Sequence, residues 1–311
     1  MRLETVLVTG SKGSVGAGVV AELKRAGYRV VSVDREAGTP AAAATHRTVD
    51  LLDPEAVEGA VAESDPDAVV HLGTIPHPLD RPGHETYESN AMTTYHVLEA
   101  AAEAGVERVS LASSINAMGA VFQEEPMDVE YLPVDEEHPV TPRDPYALGK
   151  RTIELQADGF ARRVGEPSSV ASFRFPFVAD AAALRRWFYE PERTLASIDG
   201  ESMATRNDLF AYVALEDAAR AIRRGIETDL GGHERFFVSA PDTTMRTPTE
   251  TLVDECYQDA DGDDLSGRDP LVSTEKAKRL LGWEPERSWR DLSGTGPTAQ
   301  AEVVGGQEAK E

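Results

Sequence analysis

Tyr146 and Lys150 have the types and spacing of a proton-transfer pair. They form Tyr-x-x-x-Lys within DPYALGK, and i,i+4 spacing sets both on one helix face. An ammonium beside a phenol favours the phenolate, so a tyrosine base can work near neutral pH. The spacing alone arises often by chance, and its weight comes from position. Upstream, Ser113 and Ser114 close the run RVSLASS. A lone serine at a strand end is more often a cap or turn residue. Followed by the tyrosine–lysine pair, it reads as a hydroxyl that holds a substrate oxygen.

A second chemistry-bearing run lies at the N-terminus. The apolar segment TVLVT leads into Gly10, Ser11, Lys12, Gly13, Ser14, Val15 and Gly16, with GxxGxxG spacing. Glycine at such a turn tolerates positive φ, lets backbone amides approach a pyrophosphate, and lets the next helix pack on the strand. The helix N-terminus then favours the negative charge. The next apolar run, YRVVSV, ends at Asp34, where a carboxylate would accept from adenosine ribose hydroxyls. Asp34 favours NAD. Lys12 and Arg35 could pair with a 2′-phosphate and favour NADP, or be solvated surface residues. Use of NAD and NADP is therefore expected.

These residues need elements to position them. Strands are expected at 5–9, 28–33, 68–72, 108–112 and 170–175. Helices are expected at 14–26, 54–63, 87–104 and 145–164, with Asp53 as an N-cap and Gly105 as a stop. The alternation predicts an α/β fold, a Rossmann-type doubly wound parallel sheet spanning 1–178. Crossovers should be right-handed. The stretch 116–143 is long, acidic and aperiodic, and reads as a functional or disordered loop. Beyond about Pro176 the pattern weakens. Helices at 182–189, 215–227, 249–257 and 274–281 and a strand at 235–239 suggest a smaller mixed substrate-binding subdomain over 179–292. The polar stretch 293–311 reads as a disordered tail.

Together the motifs carry a resemblance. TGSKGSVG, Asp34, HLGTI, Asn90-Ala91-Met92-Thr93-Thr94, LASSINAMG and Tyr146-Ala147-Leu148-Gly149-Lys150 resemble, in order, the extended short-chain dehydrogenase/reductase family, also called the NAD-dependent epimerase/dehydratase family. The resemblance covers residues 5 to about 178 and continues loosely to Trp289. It implies Tyr146 as general acid/base, Lys150 on the nicotinamide ribose, and Ser114 as the catalytic serine. It also implies Asp50 and Leu51 beside the adenine, and Leu72, Gly73 and Thr74 beside the ribose and pyrophosphate. Asn90 would lie near the cofactor, with Phe175, Pro176 and Val178 along the nicotinamide. In the implied reaction Tyr146 takes the substrate hydroxyl proton, hydride passes to nicotinamide, and Ser114 steadies the oxygen.

Within that family, nucleotide-sugar enzymes usually carry Val-Tyr-Gly after the serine, where this chain has Ala117-Met118-Gly119. They also carry an Arg-Asp-aromatic element whose arginine meets the diphosphate. Counting back from Asp217, Phe210 and Ala211 stand there; Arg206 would substitute only in another register. The chain is more similar to free-sugar dehydrogenases, uronate dehydrogenases among them. Their Asn-His pair is Ile115-Asn116 here, and a substrate-contacting serine is Pro76. These differences weigh against a carboxylate-bearing sugar. The expected substrate-side residues are Pro76, Ser114, Ile115, Asn116 and Tyr146. Asn116 reads as a donor to a sugar hydroxyl or as a turn-forming residue. The expected activity is oxidation of a free aldose (pentose, hexose or uronate) to its lactone. A nucleotide-sugar epimerase is the alternative, and a non-catalytic NAD(P)-binding regulator is the alternative of another class. A homodimer or higher homo-oligomer through the two long helices is implied by the resemblance.

The chain has 55 acidic against 31 basic residues, a net charge of −24, and six lysines against 25 arginines. Such a field repels polyanions, which excludes nucleic acid and anionic membranes as expected partners. The acids are scattered and lysine is depleted, which reads as a halophile's solvated surface rather than a patch for a cationic partner. Arg174, Arg185, Arg186 and Arg206 could meet an anionic substrate, but read as solvated arginines in an arginine-rich chain. His71 reads as a hydrogen-bonded core histidine. His77 and His84 lack metal-ligand spacing, so no catalytic metal is expected. The single cysteine, Cys256, fits a reducing, cytoplasmic setting, and no signal pattern or membrane-spanning run is seen.

Overall fold

Short β-branched runs bounded by glycine or polar residues form the strands, and the amphipathic runs between them form the helices. The computed structural model describes residues 3–292 apart from 41, 78–80, 121, 124, 164, 166, 199–201 and 263; the expected tail at 293–311 lies outside the described residues. The first half runs β1 (Thr5–Thr9), α1 (Ser14–Arg25), β2 (Arg29–Asp34), β3 (Thr45–Thr48), α2 (Pro54–Ser64), β4 (Ala68–His71), α3 (Gly83–Glu103) and β5 (Arg108–Ser114). A 3-10 turn (Ile115–Met118), β6 (Tyr131–Leu132), α4 (Pro145–Ala161), β7 (Ser169–Phe175) and β8 (Phe177–Ala179) follow. The remainder comprises α5 (Ala181–Leu184), a π-turn (Arg185–Tyr189), α6 (Ser202–Asn207), β9 (Tyr212–Ala214), α7 (Leu215–Glu227), β10 (Gly232–Phe237), α8 (Thr249–Cys256), β11 (Asp261–Gly262) and α9 (Glu275–Leu281).

Seven parallel strands make the main sheet in the order β10-β7-β5-β4-β1-β2-β3. The chain winds outward from β1 in one direction and from β4 in the other. The crevice beyond the β1 and β4 carboxyl ends is the switch point where such sheets bind ligands. Strand alternation divides the core. Val6, Val8, Val70, Phe173 and Phe236 face α1, α7 and α9 through Val19, Leu23, Ile222 and Leu281. Leu7, Val33, Val69, Leu111 and Val170 face α2, α3 and α4 through Val61, Leu98, Ala101, Ile153 and Phe160.

The differences from expectation have local causes. β3 escaped notice because THRT is a polar edge strand without apolar alternation. α3 begins at Gly83 rather than Tyr87, because its first turn is polar. β10 and α7, read from sequence as parts of the smaller subdomain, instead complete the main sheet and cover one face of it. The stretch 116–143 is woven into a separate apolar cluster. Met127, Val129, Leu132 and Val134 pack there with Leu209, Phe210, Leu252 and Val272. Polar spacing hides these contacts, since their partners lie far along the chain. The helix expected at 182–189 is α5 followed by the π-turn.

Candidate active site

The glycine loop is shaped by contact. Gly10 has φ +63°, and a Cβ there would stand 2.6 Å from the backbone of Leu72 and Gly73. A Cβ on Gly16 would lie 2.0 Å from the Gly10 carbonyl oxygen. Both glycines are therefore required by the fold itself. Gly13 differs, because a Cβ there would meet only the Gly10 oxygen at 3.4 Å. Gly13 is also the N-cap of α1, with no side-chain cap and no acid in the first turn. The first-turn amides, including those of Ser14 and Val15, are thus left for an outside anion. Ser11 is buried and bonded to Ser32.

The β2 end holds the second part. Asp34 Oδ2 accepts from the Lys12 amide at 3.0 Å and Oδ1 from the Glu36 amide at 3.2 Å. The Lys12 ammonium is turned to the Ala37 carbonyl at 2.6 Å and to Glu36 at 3.7 Å. Arg35 is exposed. A cavity of about 350 Å³ opens beside Ser11, Lys12, Gly38 and Pro40. Asp50 is exposed, and Leu51 packs over Gly73.

The third part is built on β5 and α4. Asp144 caps α4, accepting from the Tyr146 and Ala147 amides at 2.9 Å each, and Pro145 occupies the first turn. This Asp-Pro start sets where Tyr146 and Lys150 point. The Lys150 ammonium donates to Thr74 Oγ1 at 3.0 Å and to the Ala112 carbonyl at 2.9 Å, and lies 5.6 Å from the Tyr146 ring centre. Burial lowers its pKa to about 7. Tyr146 does not show the lowered pKa expected from its lysine. Burial pushes it up to about 12, Asp144 and Asp208 push the same way, and Ser114 pulls it down. Desolvation of the phenolate outweighs a partner that is itself easily neutralised.

Ser114 ends β5 and caps the 3-10 turn. Its Oγ accepts from the Asn116 amide at 3.1 Å and from Asn116 Nδ2 at 3.2 Å. Phe175 is buried, and its carbonyl lies 3.4 Å from Ser114 Oγ. Val178 lines a cavity of about 140 Å³ with Ser14 and Leu215. Asn90 is fully buried behind the site. Its Oδ1 accepts from the Ile75 amide at 2.9 Å, while its Nδ2 has no hydrogen-bond partner among the described residues. An unpaired buried donor and an open glycine cradle are what a dinucleotide's polar groups would satisfy, so the residues present fit NAD.

Several candidates stand elsewhere. Ile115 is 1% exposed within the apolar cluster and offers no side chain to a substrate, a correction to its expected role. Asn116 is turned to Ser114, and Pro76 is exposed. Arg174 is not solvated but buried, bonded to Glu154 at 2.8 and 2.9 Å. Arg206 donates to the Cys256 carbonyl and lies over the Tyr257 ring. Arg185 and Arg186 lie over Tyr189 and Trp187. His71 is buried between Thr9 and Thr94, as its strand position suggested. Three contributors escaped sequence reading. Asp144 was legible as an acid before a helical proline. Phe122, edge-on to Tyr146, and Asp208, whose carboxyl faces the Phe177 amide, carry no local signal.

The fold is that of Rossmann-type dinucleotide-binding enzymes. The chain belongs to the NAD dependent epimerase/dehydratase family, whose profile matches residues 6–178. It is 24% identical to a UDP-glucose 4-epimerase of Bacillus subtilis over 98% of this chain and 99% of that one. Among solved structures it is similar to MoeE5 in complex with UDP-glucuronic acid and NAD, with TM-score 0.68 and 22% identity over 92% of this chain and 95% of the other. It is also similar to a mutated uronate dehydrogenase, with TM-score 0.63 and 22% identity over 93% of this chain and 84% of the other.

Proposed function

We propose that this chain is an NAD-dependent sugar dehydrogenase acting on a small, neutral aldose at its anomeric hydroxyl. The observation that carries the reading is the residue at the diphosphate position. Phe210 is 1% exposed, packs on Tyr257 and has φ +51°. A buried ring offers nothing to a diphosphate, and Arg206 is engaged with Cys256 and Tyr257. Asp208, two residues before Phe210, lies close enough to act on the Tyr146 phenol, and desolvation raises its own pKa well above the usual carboxylate range, so it offers a carboxyl that can pair with a sugar hydroxyl and nothing that would hold a diphosphate.

The glycine loop, Asp34, Asn90 and the 175–178 segment would hold NAD, which when bound supplies a hydride acceptor. Tyr146 takes the substrate hydroxyl proton, and Ser114 holds the oxygen as charge develops on it. Lys150 stays fixed by Thr74 and Ala112, and Phe122 excludes water from one side of the phenol. Asp34 supports NAD over NADP, since Lys12 is already engaged and a carboxylate repels a 2′-phosphate. Exposed Leu148 and Leu155, seven positions apart on one face of α4, support a dimer through α3 and α4.

A nucleotide-sugar 4-epimerase is the second reading, favoured by the end-to-end similarity to the Bacillus subtilis enzyme. One experiment separates them. Reduced cofactor is followed in molar salt across free aldoses, uronates and UDP-glucose, with NAD and NADP in turn. Net reduction with one neutral aldose supports the dehydrogenase. Conversion of UDP-glucose without net reduction overturns it in favour of the epimerase. An unreactive protein that still binds NAD would point to the regulator.

A further inference from the structure

A serine hydroxyl carries one donor proton and two acceptor lone pairs. At Ser114 both acceptor positions are filled by one residue, through the Asn116 backbone amide at 3.1 Å and its Nδ2 at 3.2 Å. Asn116 is 6% exposed, so water does not readily replace these bonds. The serine proton then has two directions left. One is the Phe175 carbonyl at 3.4 Å, beyond the usual range for a hydroxyl donor. The other is the Tyr146 hydroxyl, whose pKa a hydrogen bond with Ser114 lowers.

We propose that Asn116 is a positioning residue that sets the direction of the serine proton: by filling the acceptor sites of Ser114, it makes this hydroxyl a donor toward the Tyr146 side. The proposal rests on the reading of Tyr146 as the base. It reassigns Asn116, expected to contact substrate or form a turn, to a role exerted through Ser114.

The surroundings of Tyr146 make that direction matter. Asp144 from the start of its own helix and Asp208 from the segment before β9 both raise its pKa, as does burial. Lys150 lies 5.6 Å from the ring, with its own pKa lowered to about 7 and with neutral His71 near it. Phe122 closes another side with a ring edge. Ser114 is the group that lowers the phenol's pKa. A serine that donated elsewhere would leave the phenolate without that support.

The test needs no sugar. Tyrosinate absorbance of the full-length protein is read by stopped flow within milliseconds of a series of alkaline pH jumps, before the fold is lost, and the Tyr146→Phe signal is subtracted to isolate Tyr146. The variants are Asn116→Ala, the isosteric Asn116→Asp, Ser114→Ala and both double combinations, with NAD affinity as the folding control. Asn116→Ala should raise the Tyr146 midpoint by about one pH unit. Asn116→Asp should raise it further, because a carboxylate would draw the serine proton to itself. In the Ser114→Ala background the Asn116→Ala shift should vanish, and the Asn116→Asp shift should shrink to its direct charge effect. An unchanged midpoint in both single variants overturns the proposal, as does a shift equally large without Ser114. Silence across the sugar panel would sink the substrate reading and leave this titration readable.

Discussion

At the residue scale, the proposed chemistry rests on a phenol that burial holds protonated. With Tyr146 pushed up to about 12, the phenolate is scarce at neutral pH, and oxidation should speed up as pH rises through the alkaline range. A rate that is flat from neutral to alkaline pH would contradict a tyrosine base. Tyr146→Phe should lower kcat by roughly 10²–10⁴-fold while NAD affinity, read by tryptophan quenching, stays within experimental scatter. The nearby Asp208 is a second lever. If its carboxyl receives a substrate hydroxyl, Asp208→Ala should raise KM more than it lowers kcat, and Asp208→Asn should recover most of the loss.

At the element scale, the loop between β1 and α1 separates two uses of glycine. Gly16→Ala collides with backbone at 2.0 Å, so both thermal stability and NAD binding should fall. Gly13→Ala meets only the Gly10 carbonyl oxygen, at an ordinary contact distance of 3.4 Å, and should weaken NAD binding at least about tenfold while shifting the melting temperature little. A Gly13→Ala protein that binds NAD normally would argue against the cradle. On α4, Leu148 and Leu155 are 42% and 54% exposed. The double replacement by glutamate should convert a dimer to a monomer in high salt by light scattering; a wild type that is already monomeric would remove the dimer proposal. The inner face of α4 carries Glu154. Burial alone would raise its pKa, but Arg174 and Ser113 pull it down to about 2. A depressed carboxylate pKa contributes stability that is present above its ordinary value of 4.5 and lost as pH falls toward 2. Glu154→Gln leaves Arg174 buried without its counter-charge. It should cost about 3–5 kcal/mol in urea unfolding at neutral pH and flatten the acid limb of the stability curve.

At the scale of the whole molecule, the net charge of −24 is the dominant fact. Self-repulsion of this size opposes the compact state, and molar salt screens it to a Debye length of about 3 Å. The melting temperature should therefore rise steadily with potassium chloride, and a salt-independent value would count against the solvated-acid reading. Ion pairs such as Arg223 with Glu22 and Glu227, and Arg235 with Asp158, place some acids beside arginine. Among the described residues no helix is long and apolar enough to cross a membrane.

The sheet, the glycine loop, Asp34 and the Ser114, Tyr146 and Lys150 set were legible in the chain itself. The sheet and the glycine loop rest on local periodicity and spacing, whereas the choice of Ser114 and the roles of the set rest on the family resemblance. The nucleotide half could be read strand by strand because a buried parallel strand announces itself as an apolar run. Other features belong to no single segment. The placing of β10 at the sheet edge depends on a partner, β7, that precedes it by the helices α5, α6 and α7 and two short strands. The burial of Ile115 depends on a cluster drawn from residues far along the chain. The high pKa of Tyr146 depends on desolvation by everything packed around it, and the assignment of Asn116 to Ser114 depends on where a turn points its amide. Sequence by itself determined which groups are present and the elements that carry them. Only the tertiary structure decided which groups lose water and which proton faces which oxygen, because desolvation and hydrogen-bond direction are properties of the packed whole.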